Sequence, residues 1–129
     1  MLTVDTNIVA RLLLDDDPLQ AKIARSLFNA QEIWIAKTVL LEAHWVLRTI
    51  YKYEAEATRA SLASIVGLPN VITEDREAVT AALVLAQQGL SFPDALNLMS
   101  TPENARFLSF DKDLVRRARR AGVRKIDEA

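Results

Sequence analysis

Apolar positions along the chain recur at two different periods. Short runs at 2–4, 33–36, 71–73 and 105–110 have the length and the β-branched or aromatic content of strands. Between them, apolar residues return every three or four positions, as on the buried face of a helix. The pattern predicts helices over 8–14, 18–30, 38–51 and 54–66. Ile23 with Leu27 and Ala24 with Phe28 mark the second, and Val39, Ala43, Val46, Leu47 and Ile50 form the stripe of the third. A further helix is opened by Glu74, Asp75 and Glu77 and closed by Gly89, in keeping with the helix dipole and the C-terminal preference for glycine. A short one follows in 91–100 with Pro93 in its first turn, and a last one over 111–122 ends at Gly122. Residues 123–126 read as a final edge strand.

Strands alternating with helices imply right-handed βαβ units and an α/β fold, its central sheet mostly parallel and covered by helices on both faces. With 129 residues, half of them hydrophobic, the expectation is a single domain over 1–129. No repeat or linker interrupts it. Cysteine is absent, which excludes disulfides and thiolate metal sites. No apolar run approaches the roughly 18 residues of a membrane span. The expectation is a cytoplasmic protein without a membrane partner. In open sheets of this class, ligands bind beyond the carboxyl ends of the strands.

Net charge is −1, but it is unevenly spread. Residues 106–125 hold eight basic side chains against Asp111 and Asp113, while the remainder holds eight basic and fifteen acidic. Such asymmetry is that of a face for a polyanion or an acidic partner, or of a solvated, arginine-rich helix.

Four acids stand apart. Asp5 follows the first strand, an apolar run that reads as buried, and Asp111 the strand at 105–110, so both project from one sheet edge; Asp94 lies in the first turn of a helix and Glu42 one turn into another. Each has a structural reading: Asp5 and Asp111 as caps, Asp94 as a partner of the helix dipole, Glu42 as a surface acid. Yet an acid kept for helix support usually has a cation three or four residues away, and these have none. Glu42 has Thr38, Val39, Trp45 and Val46 there, Asp94 has Asn97 and Leu98 ahead, Asp5 is flanked by Val4 and Ile8, and Asp111 looks to Leu114 and Val115. Asp113 differs, with Arg116 and Arg117 three and four residues on. Asp15, Asp16 and Asp17 before Pro18 read as a solvated helix start rather than a cation site.

Carboxylates gathered at one edge raise one another's pKa unless a cation neutralises them. The available ligands are oxygens, which suit Mg²⁺, with Mn²⁺ as a substitute, better than zinc. His44, about 160° round its helix from Glu42, reads as a structural or surface histidine. An acid-walled Mg²⁺ site serves phosphoryl chemistry by acidifying a water and screening the leaving oxygen. The basic helix, with Arg116, Arg117 and Arg120, would then grip flanking phosphates.

The stretches VDTNIVARLLLDDD (4–17), LLEAHWVL (40–47), FPDALNLM (92–99) and FLSFDKDL (107–114) resemble the PIN-domain ribonucleases, most closely the VapC toxins of bacterial toxin–antitoxin pairs. The resemblance spans nearly the whole chain. It implies a three-layer α/β/α domain in which Asp5, Glu42, Asp94 and Asp111 surround Mg²⁺ and hydrolyse single-stranded regions of RNA. It further implies Asp113 as an acid that touches the metal through water, and Thr6, Asn7 and Ser109 as hydrogen-bonding supports of the carboxylates. A homodimer and an inhibitory antitoxin are implied as partners. Pro93, where many relatives carry a small residue, is the main departure.

Two rival functions remain. In an aspartyl-phosphate phosphatase Asp5 would be the nucleophile, although such enzymes want a second aspartate where Asn7 stands. In an inert RNA- or partner-binding module the acids would not turn over substrate. The apolar surface between 18 and 66, including Trp45, Tyr51 and Tyr53, suits either a dimer or burial in the monomer.

Overall fold

The computed structural model describes all residues, Met1–Ala129. In chain order the elements are β1 (Leu2–Thr3), α1 (Thr6–Leu13), α2 (Pro18–Ala30), β2 (Ile33–Ile35), α3 (Lys37–Trp45), a π-helical turn (Val46–Ile50) and α4 (Ala55–Val66). Then come β3 (Val71–Thr73), α5 (Arg76–Gln87), α6 (Phe92–Met99), β4 (Phe107–Ser109), α7 (Lys112–Arg120) and β5 (Ile126–Glu128). The fold is α/β, and every strand pairing is parallel. The chain divides into two units, Met1–Arg76 and Glu77–Ala129.

The first unit holds a three-stranded sheet in the order β1-β2-β3. Its register places Leu2 opposite Ile33, and Ile33 in turn opposite Val71. β2 is central, and Ile33 and Ile35 are fully buried. β1 was expected to be buried, but only Val4, just past its end, is; Leu2 and Thr3 are exposed. Helices make both crossovers, α1 packing on α2 and α3, and α3 on α4. Leu47 anchors a cluster with Ala10 and Leu14, against which Leu13, Tyr51 and Tyr53 pack. Both tyrosines are thus used inside the monomer, whereas Trp45, Leu19 and Ile23 stay more than half exposed.

The helix expected over 38–51 is corrected in its second half. It is α-helical only to Trp45, and from Val46 its bonds widen, as when Tyr51 N–H donates to Val46 O at 3.2 Å. The buried face is Leu40, Ala43 and Leu47; Ile50, expected on the stripe, is exposed. The segment ends where Lys52 takes a left-handed φ of 58°.

In the second unit β4 pairs with β5, Phe107 opposite Ile126, and α7 packs on both. Leu114, Val115, Ala118 and Ile126 are buried. The last strand was placed at 123–126 but begins where that stretch ends. Val123 N–H still closes the helix by donating to Ala118 O at 3.0 Å, so pairing starts only at Ile126. Gly89 and Gly122 terminate their helices with φ of 103° and 94°, conformations that favour glycine.

Candidate active site

In the first unit Asp5 occupies the junction between β1 and α1. Its extended backbone and short side chain make it the N-cap, and Oδ1 accepts from Ile8 N–H at 3.2 Å. Glu42 lies on α3, and Thr6 Oγ1 donates to its Oε2 at 3.1 Å, across 36 positions of sequence. The first residue of α1 therefore fixes one carboxylate while the residue before it supplies another. Asp5 and Asn7 line a cleft of about 340 Å³ with Ile8, Arg11, Gln20 and Ile23. Arg11 is engaged elsewhere, donating to Gln20 Oε1 at 2.9 Å and Asp16 Oδ1 at 2.7 Å.

In the second unit Asp111 repeats the arrangement of Asp5. It follows β4, caps α7 through Oδ1 and Leu114 N–H at 3.0 Å, and its own N–H donates to Ser109 Oγ at 2.9 Å. Asp94 is the third residue of α6, its N–H donating at 3.2 Å to Ser91 Oγ, the N-cap. Asp94, Asp111 and Asp113 line one pocket of about 220 Å³ with Gly89, Leu90, Ser91, Leu114 and Arg117. Ser91 was not singled out in the sequence, although a serine two residues before a helical proline is a start signal; Gly89 was read as a helix end, not as part of a pocket.

The acids differ in what neutralises them. Asp5, Glu42, Asp94 and Asp111 are exposed, and none takes part in an ion pair. Asp113 bonds both Arg116 and Arg117, the latter at 2.7 Å. The arginine partnership expected of Asp113 is thus formed. Arg117 is further fixed by donating to Gly89 O at 3.0 Å. Arg116, Arg117 and Arg120 line a second cleft of about 440 Å³ with Gln88 and Ala121. Asp127 is held below the usual carboxylate range by Arg106 first and Arg119 second. Asp16 is lowered by the Tyr51 hydroxyl and then Arg11.

Neither unit draws three or more histidine or carboxylate side chains into a metal-holding group. Each instead offers two carboxylates free of cations, Asp5 and Glu42 in one, Asp94 and Asp111 in the other. Such all-oxygen donors fit a hard divalent cation. His44 lies apart from this chemistry: burial, then the nearby Arg48, lowers its pKa and favours neutral imidazole.

Among protein families, the profile of the PIN domain matches residues 2–120, across both units. The α/β architecture with its parallel pairings is consistent with the three-layer α/β/α fold of that family. PIN domains are generally nucleases that act on RNA and usually use divalent metal ions. No curated protein matches the chain significantly. No helix is long and apolar enough to cross a membrane.

Proposed function

The chain belongs to the PIN domain family, and from that premise we propose that it is a Mg²⁺-dependent endoribonuclease, the toxin of a toxin–antitoxin pair. Asp5, Glu42, Asp94 and Asp111 are its catalytic acids, and residues 1–129 act as a single domain. One observation carries the reading: in the pocket of the second unit Asp94 and Asp111 stand without a cation, while Asp113 beside them is held by two arginines. A chain whose arginines reach Asp113, Asp127 and Asp16 leaves these two open to an external one.

The four acids would supply oxygen ligands to Mg²⁺, or to Mn²⁺ in its place. When bound, such an ion acidifies a water and offsets charge on the phosphodiester. The chain's own part is orientation. Capping holds the Asp5 and Asp111 carboxylates through one oxygen and leaves the other open, and Thr6 steadies Glu42. Asn7, Ser109 and Asp113 complete the support. Arg120, which has no partner in the chain, and Arg116 and Arg117 beside it bind RNA phosphates. The toxin role rests on the four stretches that resemble VapC proteins; a homodimer, an antitoxin and a cytoplasmic site of action go with it. Exposed Leu19, Ile23 and Trp45 supply apolar area for such protein partners.

The engagement of Asp113 by Arg116 and Arg117 in the pocket of Asp94 and Asp111 favours a second reading, a PIN module that binds RNA or a protein without turnover. Cleavage of single-stranded RNA by the purified protein separates the two. The nuclease needs Mg²⁺ or Mn²⁺ and loses activity in Asp5→Asn and Asp94→Asn, with melting within a few degrees of the parent. Cleavage retained by both variants would refute the site.

A further inference from the structure

Phe110 is 87% exposed, and Leu108 two residues earlier is 63% exposed. A single apolar side chain at a surface is ordinary; the neighbours of this one are not. Phe110 directly precedes Asp111, and both sit on a junction pinned by two bonds, Asp111 N–H to Ser109 Oγ and Leu114 N–H to Asp111 Oδ1. The ring is therefore anchored to the same rigid corner as the carboxylate. From that corner α7 carries Lys112, Arg116 and Arg120 at four-residue intervals, about 6 Å apart along one side of the helix. Lys112 is 82% exposed and only 4.0 Å from Glu128, a weak pairing, and Arg120 is free.

An aromatic face beside a row of cations is the chemistry of single-stranded nucleic acid, in which phosphates take the cations and a base takes the ring. Duplex RNA keeps its base faces in the stack and has nothing to offer Phe110. A protein partner is less well matched: aromatic rings and arginine both suit protein interfaces, but a row of cations leading away from the ring at regular intervals along α7 matches the repeat of a phosphate backbone. We propose that Phe110 stacks an unpaired RNA base beside Asp111, with phosphates following along Lys112, Arg116 and Arg120. The ribonuclease reading determines what happens to that RNA; stacking itself is separable from it.

The test is binding of a short, unstructured, mixed-sequence RNA containing 2-aminopurine, measured with Mg²⁺ in an Asp94→Asn background. Adding Phe110→Ala should weaken binding about 5- to 150-fold, the range of one lost base–aromatic stack. Phe110→Tyr and Phe110→Trp should restore it and quench 2-aminopurine, and Phe110→Ala should not. Duplex RNA of the same sequence should bind all variants alike. Unchanged single-strand affinity in Phe110→Ala overturns the proposal, and a simultaneous loss of self-association by sedimentation would assign the ring to a second copy. If no metal supports cleavage yet the aromatic dependence holds, the nuclease reading fails and stacking stands. If Asp94→Asn abolishes cleavage while Phe110→Ala leaves both cleavage and binding untouched, stacking alone fails.

Discussion

Asp111 is both a helix cap and a proposed catalytic acid, and two substitutions take these roles apart. Asparagine keeps an Oδ1 that can accept from Leu114 N–H, now at 3.0 Å, and caps helices about as well as aspartate. What it loses is a negative charge at the start of α7, about 0.3–1 kcal/mol at an exposed site. Alanine loses the bond as well, adding about 1 kcal/mol. Asp111→Asn should therefore melt within a few degrees of the parent, and Asp111→Ala lower still, since about 1 kcal/mol corresponds to roughly 4 °C in a domain of this size. Activity should not follow that order. Both variants should lose at least about 100-fold in RNA cleavage, the scale of removing one preorganised electrostatic group. The measurements are thermal melts by circular dichroism and initial cleavage rates with Mg²⁺ in excess. An Asp111→Asn protein that cuts at the parental rate would refute the catalytic role and leave Asp111 a cap.

Other outcomes follow from the same geometry. Mn²⁺ should raise the melting temperature of the parent, by up to about 2.7 kcal/mol of stabilisation at a hundredfold excess over Kd; Asp94→Asn should respond less, and an equal shift would remove Asp94 from the metal set. Gly89→Ala should destabilise by about 1–2 kcal/mol, because its φ of 103° is strained for an L residue and the new Cβ would lie 3.3 Å from Arg117 Nη1; a neutral result in urea unfolding would contradict this. Leu47→Ala, at a site 1% exposed, should cost about 2–5 kcal/mol. Tyr51→Phe tests the Asp16 network through pH. Asp16 is depressed in the folded state by the Tyr51 hydroxyl and Arg11, so its contribution is present above the ordinary aspartate pKa and disappears as pH falls through the lower folded value. The parent's advantage over Tyr51→Phe in urea midpoint should therefore shrink in acid, and one that grew there would overturn the assignment.

Helix starts and stops were readable because they obey local rules. Asp17 before Pro18 caps α2, Oδ1 accepting from Gln20 N–H at 3.1 Å, and α2 runs over the span its periodicity predicts, Pro18–Ala30. The positive φ at Gly89 and Gly122 is likewise what a glycine after a helical pattern signals. The π-helical turn was not readable. An extra residue in one turn rotates Ile50 to solvent while Leu47 stays buried, and a fixed helical period cannot represent that shift. β1 misled for another reason: a short apolar run says nothing about whether a strand lies at the centre or the edge of its sheet, and β1 has β2 alone as a neighbour in its three-stranded sheet.

The candidate site was legible in residue type and less so in role. Spacing alone separated Asp113, with arginines at three and four residues, from Asp94 and Asp111, and the ion pairs follow that division. Spacing could not link Thr6 to Glu42, because that bond depends on how α1 meets α3. Nor could it decide between cap and catalyst at Asp5 and Asp111, since the two roles are compatible. A capping carboxylate gives one oxygen to the helix and gains a fixed direction for the other, so an aspartate at a strand-to-helix junction is already oriented before any ligand arrives. Local structural fitness in such a residue is then no argument against chemistry. The informative contrast lies with acids whose both oxygens are consumed, as Asp113's are by Arg116 and Arg117. Replacing both arginines should free that carboxylate and tighten Mn²⁺ binding, as read by the same melting shift. A smaller shift would mean that the arginines hold Asp113 in its working position.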